Sequence, residues 1–117
     1  MRNGDSFELL PSVTITTTTE RENDMRVQNM RSPASNNPVA NQFEITDHEN
    51  KVKYFQSYDS IIVKKCLKED KIYLDDYYWN YSRTTGKYRN EYLGENTAET
   101  RKKIKSGEYI LADLNNR

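Results

Sequence analysis

The 117-residue sequence predicts an α+β fold: a small antiparallel sheet of three to five strands with two short helices on one face, preceded by a disordered N-terminal segment. Three observations carry this reading. All the tyrosines and lysines and the single tryptophan lie at or after Lys51, whereas all three prolines lie before residue 41. Apolar residues then alternate with period two from Gln42 to Leu74, and from Tyr81 the period lengthens to three and four.

Residues 1–40 form the first segment, disordered or extended. It holds a Thr-rich run and "SPASNNPVAN" and has almost nothing to bury, so it cannot offset the entropy of ordering its backbone. Its one strand-like stretch is "SVTITTTT", Ser12 to Thr19, whose β-branched residues suit pairing with an exposed sheet edge. Residues 41–117 form a single α+β domain. Within it "QFEIT" and "VKYFQSY", Gln42 to Thr46 and Val52 to Tyr58, read as a hairpin around the polar "DHENK". "SIIVKKCL" and "KIYLDD" follow, joined by "KED". Ile61, Val63 and Leu67 share one face of the first, with Lys65 the exception.

Ser82 is a good N-cap for "RTTGKYRNEYL", since its hydroxyl can accept from free first-turn N–H groups. Tyr81, Thr85, Tyr88 and Tyr92 then fall on one helical stripe, with Arg83 and Lys87 opposite. Gly94 can close this helix in a left-handed conformation. Thr97 can cap "AETRKKIKS", Gly107 can end it, and "EYILADL" returns to the sheet.

Composition narrows the function classes. Eighteen basic and eighteen acidic residues leave no net charge, which removes the global attraction of a dedicated duplex-DNA or anionic-membrane binder. Cys66 is the only cysteine, so no internal disulfide forms and no Cys/His cluster suggests zinc. With no apolar run of signal or membrane-span length, the expected location is cytoplasmic and no membrane partner is expected.

"YFQSYDSIIVKK", "YYWNYSRTTGKYRNEYLGE" and "IKSGEYILADLN" together resemble a family of small uncharacterised bacteriophage and prophage proteins, a domain of unknown function. Members typically show an FQSY-like strand, an aromatic followed by YSxTTxK, and an aromatic-ended helix. Here these are Phe55 to Tyr58, Trp79, Tyr81 to Lys87, and Tyr92, and the likeness spans roughly residues 42 to 115. The resemblance implies a phage origin, hence a bacterial host cytoplasm, and a shared fold, with no catalytic residue to carry over.

No residue set reads as catalytic, metal-binding or cofactor-binding. His48 stands in a turn-like "DHEN" without a second histidine. Asp75 and Asp76, adjacent on a strand, point to opposite faces and read as a solvated strand end. Glu99 can pair with Lys103 at i,i+4. The candidate binding residues are Tyr77, Tyr78, Trp79, Arg83, Lys87, Arg89, Arg101, Lys102 and Lys105. Tyrosine and tryptophan are favoured interface anchors, so the leading expectation is a non-enzymatic accessory protein that binds a host or phage protein, with self-association also open. The alternative is a nucleic-acid-contacting module in which the aromatics stack bases and the helix cations track phosphate. The two part on whether those cations and residues 77–79 converge on one exposed face.

Overall fold

The computed structural model describes residues 25–117. Residues 1–24, with the strand expected at Ser12 to Thr19, lie outside the described residues. In chain order the elements are β1 (Met25–Arg31), β2 (Pro38–Asp47), β3 (Val52–Ser57), β4 (Ser60–Cys66), β5 (Lys71–Asp75), α1 (Arg83–Leu93), α2 (Thr97–Ser106) and β6 (Tyr109–Ala112). The strands lie side by side in sequence order in one six-stranded sheet.

This corrects the expected three-to-five-stranded antiparallel sheet in two ways. The sheet gains β1 and the start of β2 from the segment expected to be disordered or extended, with Val27 opposite Ile45 and Asn29 opposite Phe43. Met30 of β1 enters the core. The sheet is also mixed, because β6 pairs with β5 in parallel. A parallel neighbour requires a long crossover, and the two helices supply it.

Both helices lie on one face. In β3, Phe55 stacks on Tyr92 of α1 with ring centroids 5.6 Å apart, and Ser57 shares a 3.0 Å hydroxyl contact with Thr85. Lys53, Phe55 and Ser57 alternate with Tyr54 and Gln56, which therefore face the other way. On that second face the successive partners Val27, Ile45, Tyr54, Lys64, Tyr73 and Ile110 form one row across all six strands.

Phe55, Ile62, Val63, Leu74, Tyr88 and Tyr109 join Met30 in the core. The expected Ile61, Val63, Leu67 stripe is broken. A bulge sets Val63 opposite Phe55 and Ile61 opposite Gln56, so both Ile62 and Val63 are buried, while Leu67 lies exposed in the following turn.

The helix ends follow their capping chemistry. Ser82 accepts from Thr85 N at 3.2 Å, and Gly94 and Gly107 close the two helices at φ 72° and 88°. The cap of α2 is Asn96 rather than Thr97: its side chain accepts from Glu99 N while Glu99 accepts from Asn96 N. Glu99 is thus engaged in the cap, and Lys103 pairs with Glu95 at 2.7 Å. Among the described residues no helix is long and apolar enough to cross a membrane.

Of the tyrosine stripe on α1, Tyr88 is buried and Tyr92 packs against the core, whereas Lys87 is exposed. Tyr88→Ala should therefore cost about 3 kcal/mol in chemical denaturation and Lys87→Ala under about 0.5 kcal/mol. Equal, small losses would show that α1 does not dock through this stripe.

Candidate functional site

The aromatic stretch after β5 is held in place by a buried carboxylate. Asp75 Oδ2 accepts from the backbone N–H groups of Tyr77 (3.1 Å) and Tyr78 (2.7 Å). Its Oδ1 accepts from Leu114 N (2.9 Å) and from Asn115 Nδ2 (3.0 Å). Asn115 also brackets Ile61, accepting from its N–H at 2.8 Å and donating to its carbonyl at 3.0 Å. Asp75 is fully buried, so it is not the solvated strand end expected; the chain folds back to satisfy it. Burial by itself pushes its carboxyl up, but these donors outweigh that cost and hold it below the usual carboxylate range.

With residues 76–82 fixed this way, three tyrosines meet at the surface. Tyr77 and Tyr78 pack edge to face at 4.7 Å, Tyr78 and Tyr81 at 5.2 Å, and Tyr77 lies 6.2 Å from Tyr81. Tyr77 is 57% and Tyr81 63% exposed. Beside them the β3–β4 turn brings Tyr58, 50% exposed, to the rim of a small, mainly apolar crevice of about 120 Å³. Tyr58, Ile62, Tyr78 and Tyr81 line it, and Ser57 and Thr85 bring hydroxyls to its lining. Tyr58 holds φ 54°, a left-handed conformation that a bulky side chain seldom adopts. Its N–H donates to the Asn41 carbonyl at 2.7 Å, and its own carbonyl accepts from Gln56 Nε2 at 2.7 Å.

The other candidate residues are divided. Trp79 is half-buried against the core, with the guanidinium carbons of Arg89 and Arg101 at 5.1 and 5.3 Å from its ring. Arg89, expected on a basic edge, is wholly buried. It donates to the Trp79 carbonyl (2.6 Å), Asn80 Oδ1 (3.1 Å), Asn90 Oδ1 (2.8 Å) and Thr97 Oγ1 (2.8 Å), joining the turn before α1 to the start of α2. Arg83 and Lys87 are exposed and border an open groove with Tyr81 and Thr97. Lys102 and Lys105 are exposed on α2 and do not line that groove.

Three further participants stand outside the candidate residues, and one of them, Tyr81, corrects the expected stripe: it precedes α1 and faces solvent instead of the sheet. Tyr58 closes a strand and the FQSY-like motif in the sequence, and its backbone conformation has no local sequence signal. Arg117 lies 4.8 Å from the Tyr77 ring centroid and pairs with Asp76. His48 is exposed in its turn and Cys66 is a half-buried free thiol. Among the described residues, no three His, Cys, Asp or Glu side chains stand close enough to hold a metal ion.

These features define an α+β protein built on a six-stranded mixed sheet, with a tyrosine cluster displayed at one end of the β5 turn. The chain belongs to the family of unknown function DUF8033, whose model matches residues 25–107. That match begins at the first residue of β1, in keeping with β1 as an integral strand. No curated protein and no solved structure matches the chain.

Asp75 gives the site a pH signature. Its folded-state carboxyl lies below the unfolded value of about 3.9, so its contribution is complete above that value and is lost as pH falls through the folded one. Asp75→Asn should be less stable than the parent by about 2 kcal/mol at pH 7. The gap should narrow on acidification once the parent's carboxyl is also protonated. A gap that stays constant down to pH ~2, followed by denaturant titration, would show that the charge of Asp75 contributes nothing.

Proposed function

We propose that this chain is a non-enzymatic accessory protein that binds another protein through the surface formed by Tyr58, Tyr77, Tyr78 and Tyr81. The observation that carries the reading is the exposed aromatic cluster around an apolar crevice. Tyrosine offers large, rigid contact area with a polar tip at low entropic cost, which is why it anchors interfaces. The conformation of Tyr58 adds support: backbone strain of this kind persists where a side chain must be presented in a set direction. The FQSY and YSxTTxK motifs favour a phage or prophage setting, with a host or phage protein as partner in the bacterial cytoplasm.

Nucleic-acid contact is the weaker reading on the same geometry. Arg89 is internal, two guanidinium groups lie against the Trp79 ring, and the net charge is zero. The candidate cations that stay exposed, Arg83, Lys87, Arg101, Lys102 and Lys105, are spread over two helices.

Capture from infected host cells in the presence of nuclease tests the proposal. The parent should retain a partner that Tyr77→Ser/Tyr81→Ser loses. Tyr58→Asn should lose it too while gaining about 1 kcal/mol of stability, because asparagine tolerates the left-handed conformation. Retention by both variants would overturn the assignment. So would micromolar binding of single-stranded DNA at physiological salt, falling about 0.7 log units per contacted phosphate per log unit of salt and abolished by neutralising the five exposed cations.

A further inference from the structure

At the far end of β3 from the tyrosine cluster, a second cavity of about 210 Å³ opens between the sheet and the last turn of α1. Glu44 and Thr46 of β2, Lys53 of β3, Lys65 of β4 and Tyr92 of α1 line it. Lys53 and Lys65 are direct cross-strand partners on the helix-bearing face. Like charges so placed repel, and Glu44, the one acid in the lining, offsets only one of the two. Tyr92 contributes a buried hydroxyl that has no hydrogen-bond partner among the described residues, and Lys65 Nζ lies 4.4 Å from the Tyr92 ring centroid.

We propose that this cavity is a binding site for one carboxylate group, held between the Lys53 and Lys65 ammoniums, with the Thr46 hydroxyl as a further donor and the Tyr92 ring as the wall against Lys65. The charge count selects the class of ligand. Two lysines against Glu44 leave a single positive charge, which a carboxylate neutralises. Glu95, the next acid toward Lys65, is already engaged by Lys103 at 2.7 Å. A phosphate dianion would instead overcharge a site that also faces Glu44 and the carbonyl end of α1. Burial, then the charge of Glu44, pushes the Tyr92 hydroxyl well above its ordinary range, so it stays neutral and leaves this charge count unchanged. The volume corresponds to roughly seven waters at about 30 Å³ each, room for a carboxylate and its first carbons but not for a large ligand.

The test is a titration of the full chain with sodium acetate at constant ionic strength in chloride, read by NMR at the Lys53 and Lys65 side chains and the Thr46 amide. Shifts at all three should saturate with a Kd on the order of 10 mM, the scale open to so small a ligand. Lys65→Gln should weaken binding roughly tenfold, as should Lys53→Gln, an exposed position that leaves the fold undisturbed. Glu44→Gln should raise the affinity for inorganic phosphate above that for acetate. A peptide with a free C-terminus that binds more tightly than both acetate and its amidated form would name a polypeptide as the source of the carboxylate; affinity equal to that of acetate would name a free small acid. Three results would overturn the site: identical linear shifts with chloride, phosphate outcompeting acetate in the parent, or acetate affinity unchanged in both lysine variants.

Discussion

The arrangement of this molecule depends on satisfying one buried carboxylate. Taking an ionised aspartate out of water costs several kcal/mol unless donors replace its hydration. Asp75 obtains four, two from the turn that follows it and two from residues about forty positions later. Meeting that demand folds the tyrosine stretch into a tight turn, brings the segment after β6 back across the sheet, and through Asn115 fastens it to β4 at Ile61. Glu95 plays a similar part beyond α1, accepting from Thr100 (2.6 Å), Lys103 (2.7 Å) and Tyr109 (2.9 Å) and so tying the inter-helix link to β6. The crossover is therefore pinned at its start and at its middle by acids whose removal leaves donors unpaired.

The same economy explains why the basic residues do not act as a set. Arg89 spends its guanidinium on a carbonyl and three side chains inside the protein, and Arg101 lies against Trp79. The exposed aromatic character passes instead to Tyr58, Tyr77 and Tyr81, on turns that buried hydrogen bonds hold in place. The proposed carboxylate site rests on a different principle. There a cross-strand lysine pair is offset only in part, by Glu44 and by the Tyr92 ring over which Lys65 lies, a local conflict of the kind that tends to mark positions serving something other than folding.

What could be read from the sequence was what local chemistry determines. Ser82, Gly94 and Gly107 act within one turn of their own position, so both helix ends they govern are visible in a short window. The β2–β3 and β4–β5 hairpins announce themselves by alternation. β1 does not: "MRVQNMR" offers only Met30 to the core and is ordered by pairing with β2 rather than by its own pattern. Asp75 and Arg89 escape a sequence reading for the opposite reason. A charged residue reads as surface until the partners that permit its burial are known, and those partners lie elsewhere in the sequence. The bulge beside Ile62 similarly shifts which residues face inward without leaving a glycine to mark it. Of the candidate site, Tyr77 and Tyr78 are legible, whereas Tyr58 is not and Tyr81 fits the inward-facing helical stripe although it stands before the helix.

The strand order also bears on how the chain behaves while it is being made. From β1 to β5 each strand pairs with its immediate predecessor, so the meander can zip up as it leaves the ribosome, on the microsecond scale of hairpin formation. β5 must then wait for β6, and Asp75 for Leu114 and Asn115, about forty residues later. At 5–20 residues per second that interval lasts roughly 2–8 s. Throughout it the nascent sheet presents an open strand edge and an unsatisfied acid. Edges of that kind invite pairing with a neighbouring nascent chain, and here an ionised aspartate sits at the end of the waiting strand, a charge that discourages such pairing until its own partners arrive.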